Sequence, residues 1–240
     1  MNEVPAGATT RACGAIVWRG KTLETRCLTS TELADGYLPL RYDVLRCELN
    51  WTVREVTTPA DLRDAYDRES VSFGVFGAEA QLIGASRLIL PAEGDDLPSV
   101  RVLRSLRRQP RFALPTAEIS RVMVRRECRK LGLFRILLLS GLLLAESTEV
   151  RTLIMSERDD ARSARLMANC GFVRYAAGFS FVDDTIAPNE PAATYVLDVC
   201  RSIGVESRQA MAAHREMLLR AADALFVAGL TAQTAGSDSG

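Results

Sequence analysis

Charged side chains standing inside segments that otherwise read as buried β-strand limit what this chain can fold into more than any other feature. Arg87 lies within Leu82-Ile83-Gly84-Ala85-Ser86-Arg87-Leu88-Ile89-Leu90, and Glu118 and Arg121 flank Ile119 and Ser120 in the run Ala117–Val124. A charge carried into an apolar interior is costly unless it is paired there. Arg41 poses the same problem among Leu40, Val44 and Leu45 in a helical pattern running from Thr31 to Trp51. Asp64 and Asp67 are three residues apart and share one face if their segment is helical. The economical solution is one cleft in which Arg41, Arg87 and Arg121 are neutralised by Asp64, Asp67 and Glu118. The competing account is a salt-bridge network with no role beyond structure.

The rest of the pattern supplies a frame for such a cleft. Residues 1–20 are unpatterned and read as a flexible arm, and Leu23–Leu28 alternates as a first strand. Thr58-Pro59 is a helix start, leading a short helix that carries Asp64 and Asp67. Val71–Phe76 and Gln81–Leu90 form a hairpin around Gly77–Ala80, and residues 99–109 read as a short amphipathic helix. After the Ala117–Val124 strand come a strongly apolar helix over Lys130–Ser147, a strand at Arg151–Met155, and a helix over Ala161–Cys170 that ends at Gly171. Late strands are expected at Phe172–Tyr175, Phe179–Val182 and Thr194–Val199. This is a mixed α/β layer arrangement over 21–200, with an amphipathic helix at Glu206–Val227 and a polar tail in 201–240.

Composition removes several function classes. Lys and Arg together balance Asp and Glu at 30 each, so no bulk field draws the molecule to nucleic acid or anionic lipid. The six cysteines are isolated and His214 is the single histidine, which leaves zinc sites and Cys-His or Ser-His catalysis without their ligands. No metal is expected. The N-terminus lacks a basic start followed by an apolar run, and Leu137–Ala145 is too short to span a bilayer, so the expected compartment is the cytoplasm.

The ordered set Arg41, Trp51, Asp64-Ala-Tyr-Asp67, Arg87 and Glu118-Ile-Ser-Arg121 resembles the signature of the LuxI-type acyl-homoserine-lactone synthases. The resemblance covers roughly residues 22–125, with one departure: Leu45 stands where those synthases usually carry phenylalanine. The same residues are similar in style to the long-chain N-acyl amino acid synthases. Both groups have the GNAT fold, a mixed central sheet with helices on both faces and a V-shaped gap between splayed strands. The resemblance implies an N-acyltransferase that moves a fatty acyl group from acyl carrier protein to the amine of S-adenosylmethionine, followed by lactonisation to a quorum-sensing signal. Acylation of a free amino acid is the alternative, and a CoA-dependent acetyltransferase is a more distant one. No bound cofactor is implied; S-adenosylmethionine and the carrier-protein thioester are co-substrates.

By the same resemblance Glu118, Arg121, Asp67 and Arg87 form the catalytic group, with Glu118 the nearest base for the amine. Arg41, Trp51, Asp64 and Ser120 are the substrate-binding residues. Arg129-Lys-Leu-Gly132-Leu-Phe134 opens the long helix where GNAT enzymes place a phosphate-binding turn, although Phe134 replaces its last small residue. Arg101, Arg104, Arg107, Arg108 and Arg111 crowd one segment that holds no acid. Acyl carrier proteins are strongly acidic, so Arg101, Arg104 and Arg108 are expected to dock the carrier while Arg129 and Gly132 hold its phosphopantetheine arm. Nucleic-acid binding is disfavoured, because no aromatic residues interleave with these arginines except Phe112.

Overall fold

The computed structural model describes residues 14–18, 21–52, 55–91, 96–148, 150–183, 185–188 and 190–199. The expected helix at Glu206–Val227, the polar tail and His214 lie outside the described residues. Eight strands form one sheet: β1 (Gly14–Trp18), β2 (Lys21–Cys27), β3 (Ser70–Phe76), β4 (Leu82–Ile89), β5 (Thr116–Val124), β6 (Thr152–Arg158), β7 (Val173–Phe179) and β8 (Ala192–Asp198). Their order is β1-β2-β3-β4-β5-β6-β8-β7. The arm expected through residue 20 therefore contains a strand, β1, which pairs antiparallel with β2. The strand expected at Phe179–Val182 is absent: Phe179 ends β7, and the chain then leaves the sheet.

Every strand pair is antiparallel except β5 and β6. That parallel pair is short, matching Thr116–Glu118 with Thr152–Ile154, and beyond it the two strands part. A parallel connection needs a crossover, and the apolar helix α3 (Leu133–Ser147) supplies it. Helix α3 packs Leu133, Ile136, Leu137 and Leu138 against Phe73, Leu88, Ile119 and Leu153 on one face of the sheet, and α4 (Ala161–Asn169) adds Met167 to the same core. Gly141 lets α3 approach closely, since a Cβ there would stand 2.6 Å from Ile119 Cδ1.

The opposite face is covered by α1, a helical run from Ser30 to Glu48, and by α2 (Pro98–Ser105). Within α1 the turns widen to π geometry at Leu33–Tyr37 and Tyr42–Glu48, on either side of an α-helical turn at Leu38–Arg41. Pro39 has no N–H to donate and crowds the carbonyl four residues back, which accounts for the wider turn before it. Tyr37, Leu40, Val44 and Leu45 pack from α1 against Phe76, Ala85 and Met123.

One irregularity in β5 sets the orientation of the central residues. Arg87 pairs with Ser120 and Ala85 with Met123, so one residue of β4 faces two of β5, and Arg121 is the extra one. Its φ is 55°, a left-handed value that side-chain-bearing residues rarely adopt. The bulge resets the alternation: Glu118 and Ser120 precede it on the α1 face, and Met123 follows on that same face, an odd number of residues later.

Candidate active site

Two short turns present the acids. The expected single helix over residues 58–67 is instead a 3₁₀ turn at Pro59–Leu62 and a second at Ala65–Arg68. Asp64 is extended and caps the second turn, and Asp67 closes the cap by accepting from the Asp64 backbone N–H at 2.9 Å. The reciprocal cap, rather than a common helix face, brings the two carboxylates together.

They meet three guanidinium groups. Arg41 donates to Asp64 at 2.6 Å and to Asp67 at 3.0 Å. Arg87 donates to Asp64 at 2.6 and 2.9 Å, to Asp67 at 2.5 Å, and through Nε to Ser120 Oγ at 2.9 Å. Arg121 reaches Asp64 at 3.1 Å, Asp183 at 2.7 Å and Thr185 Oγ1 at 2.7 Å. Arg41 and Arg87 are completely buried, and the Asp64 side chain is 2 % exposed. Burial alone would raise the Asp64 pKa, but the hydrogen bond and charge of Arg87, with Arg121 and Arg41 behind it, hold the carboxyl well below the usual range.

The third acid of this cluster is Asp183, not Glu118. Arg41, Arg87 and Arg121 stand against Asp64, Asp67 and Asp183, charge for charge, and the Asp183 carboxyl also accepts from the backbone N–H groups of Thr185 and Ile186 at 2.8 and 2.9 Å. Burial would raise its pKa, and Arg121 together with those two N–H groups overrides that and keeps it low. Asp183 and Thr185 were not foreseen from the sequence.

Glu118 sits apart in a different environment. It is 1 % exposed and takes two hydrogen bonds from Ser99 at the start of α2, the backbone N–H at 2.9 Å and Oγ at 2.8 Å. Its partners on the neighbouring strands are Ile89 and Ile154, which share a small apolar cluster with Leu97 and Val100. Burial pushes its carboxyl up to about 7, against the Ser99 bonds and the charge of Arg87, which act the other way. A carboxyl that titrates near neutrality is suited to exchanging protons with an amine.

Where β5 and β6 part, a cavity of about 1260 Å³ opens. Glu118, Ser120 and Arg121 line it, as do Leu45, Trp51 and Ile186. Arg41, Asp64, Asp67 and Arg87 do not; they form a layer behind Arg121 in which Arg41 and Arg87 are buried and the Asp67 side chain is 22 % exposed. The expectation that all six charged residues surround one pocket is corrected in that respect. Arg121 Nε is buried with no hydrogen-bond partner among the described residues. Trp51 closes one side, its carbonyl accepting from the Ala187 N–H at 2.6 Å.

The residues expected to meet the donor fall into two separate groups. Arg129 and Gly132 line the cavity at the start of α3; Arg129 is paired to Glu48 at 2.6 Å, and Gly132 has φ 84°. Arg104 and Arg108, with Arg107 and Arg111, border a separate shallow pocket after α2. Arg101 donates to Tyr66 Oη at 3.0 Å, and the Tyr66 ring lies 6.0 Å from the Arg87 guanidinium.

Residues 40–139 match the family model of the acetyltransferase (GNAT) domain. FeeM, an N-acyl amino acid synthase from uncultured soil microbes, superposes with a TM-score of 0.52 at 18% identity, over 74% of this chain and 92% of that one. The fold is the GNAT fold. Two further structures superpose similarly: an N-acetyltransferase from Staphylococcus aureus (TM-score 0.51, 17% identity, 74% and 98% of the chains) and a variant of the spermidine N-acetyltransferase SpeG from Vibrio cholerae (0.51, 15%, 74% and 94%). Comparison with curated proteins finds no match. The match over residues 40–139 supports an acyltransferase, and the cavity lies at the splayed β5–β6 seam of this fold. Among the described residues no cluster of His, Cys, Asp and Glu could hold a metal ion, and no helix is long and apolar enough to cross a membrane.

Proposed function

We propose that this GNAT acyltransferase moves a fatty acyl group from the thioester of acyl carrier protein to the α-amine of S-adenosylmethionine, with closure to an N-acyl-homoserine lactone. The observation that carries the reading is that Glu118 and Arg121 line the same cavity: a carboxyl titrating near 7, and a guanidinium fixed by Asp64, Asp183 and Thr185. An amino-acid-type acceptor offers the complement, an amine to be deprotonated and a carboxylate to accept from Arg121. The nitrogen attacks the thioester carbonyl, and the carbon–sulfur bond breaks. In the lactone-forming case the homoserine carboxylate then displaces methylthioadenosine. The exposed arginines 101, 104 and 108 would receive the acidic carrier, and Arg129 and Gly132 its phosphopantetheine arm.

Transfer to a free amino acid is the second reading. It is favoured by the likeness to FeeM and by Leu45, which is buried in the cavity wall where the lactone synthases carry phenylalanine. Purified enzyme with octanoyl-carrier protein and S-adenosylmethionine should release methylthioadenosine and free thiol. Thiol release only when a free amino acid is supplied establishes the second reading. Turnover of acetyl-CoA with indifference to carrier protein defeats both.

A further inference from the structure

Glu118 is the base in the proposed reaction and borders the cavity, yet it is only 1 % exposed and both carboxylate oxygens are turned to Ser99 beneath α2. Ser99 is itself completely buried. Its Oγ lies 2.7 Å from Ser156 Oγ, and Ser156 Oγ lies 3.0 Å from Thr194 Oγ1. The sheet register produces this row. Glu118 pairs with Ile154 across the parallel seam, so Ser156, two residues on, shares its face, and Thr194 is the partner of Ser156 on β8. Of the three hydroxyl residues only Ser156 borders the cavity; it is half-buried, while Thr194 is completely buried.

We propose that Ser156 and Ser99 form a proton relay that carries the acceptor's proton from the cavity to the carboxylate of Glu118. This rests on the reading of Glu118 as the base of an acyl transfer. Each hydroxyl has one proton and two lone pairs. With Glu118 ionised, Ser99 donates to the carboxylate, Ser156 to Ser99 and Thr194 to Ser156, which leaves Ser156 one lone pair for an incoming ammonium. The ammonium N–H bond breaks and its proton moves to Ser156. The Ser156 proton moves to Ser99, and the Ser99 proton to Glu118 Oε1. The freed nitrogen lone pair forms the bond to the thioester carbon, and the carbon–sulfur electrons leave on sulfur. The second nitrogen proton goes to that thiolate, and the proton on Glu118 returns along the same chain to water in the cavity. The row is reversible because every member can exchange its donor and acceptor roles.

The test measures thiol release from octanoyl-carrier protein, with the accepting amine, as a function of pH. Ser156→Ala leaves both Glu118–Ser99 bonds in place. It should lower kcat at least about tenfold with KM little changed, and should abolish the rise of rate through neutral pH. Ser156→Thr should restore both. The double variant with Glu118→Gln should be no slower than the slower single one, as for two members of one path. Thr194→Val removes a hydroxyl from the closed end of the row and should keep the pH dependence. If Ser156→Ala retains the pH rise that Glu118→Gln loses, Glu118 works without the relay and the inference is overturned while the acyltransferase reading stands. If Thr194→Val behaves like Ser156→Ala, the row is a structural hydroxyl ladder and the inference falls again. Absence of turnover by the wild type with any acceptor takes down the parent reading, and the relay with it.

Discussion

Replacing Asp64 with asparagine tests whether the six-charge cluster is a balanced unit. Asp64 accepts four N–H bonds from three guanidinium groups, at 2.6, 2.6, 2.9 and 3.1 Å, and its side chain is 2 % exposed. The substitution keeps the shape but leaves three arginines facing Asp67 and Asp183, so one positive charge stays buried without a counter-ion. The amide also turns a donor group toward guanidinium donors. Removing one partner from a buried ion pair costs about 3–5 kcal/mol, a large share of the roughly 5–15 kcal/mol that holds a domain folded. With a urea slope of about 2–3 kcal/mol per molar, the unfolding midpoint should fall by roughly 1–2 M at pH 7. The sign with pH follows from the depressed native pKa. The contribution of Asp64 is present above its unfolded value near 3.8 and is lost as pH falls further, so the gap between wild type and Asp64→Asn should narrow below about pH 4. A midpoint change worth less than about 1 kcal/mol at pH 7, or a gap that does not narrow in acid, would refute the cluster as described.

Glu118 carries the opposite sign. Its native pKa lies above the reference value of 4.5, at about 7, so the neutral form is the stable one and that stability is lost as pH rises through 7. Glu118→Gln should therefore exceed wild type in stability above pH 7, by up to about 3 kcal/mol in urea titrations, while losing roughly 10²–10⁴ in rate and the rise through neutral pH. Gly141→Ala should destabilise by about 1–3 kcal/mol despite a helix-propensity gain of about 1, because the new Cβ would meet Ile119 Cδ1 at 2.6 Å and Phe73 Cζ at 3.2 Å. The loss should shrink in an Ile119→Val background, which lacks that Cδ1 atom.

The sequence made the central problem visible because Arg87, Glu118 and Arg121 interrupt apolar strands, where a charge is conspicuous. It could not supply Asp183: Asp183-Asp184 follows the run expected as a strand at Phe179–Val182, and a pair of acids there reads as a solvated turn. For the same reason Glu118 reads as one more partner of the arginines, although Ser99, remote in sequence, holds it. Small hydroxyl residues such as Ser99, Ser156 and Thr194 leave no mark on hydrophobic periodicity. The bulge was hidden as well, since Arg121 does not announce a left-handed backbone in the way glycine would. Layer order and the buried crossover helix were legible, because both follow from long apolar segments with clear ends.

Beyond Glu118 and Ile154, no strand-to-strand pairing joins β5 to β6. What spans the opening instead is the segment after β7, tethered by Asp183 and Thr185 to Arg121 and by the Ala187 N–H to the carbonyl of Trp51. The aperture of the cavity is thus governed by a guanidinium clasp that bridges the two halves of the sheet. Anything that spreads those halves pulls on Arg121, so widening of the cavity and tension in the clasp are one mechanical event.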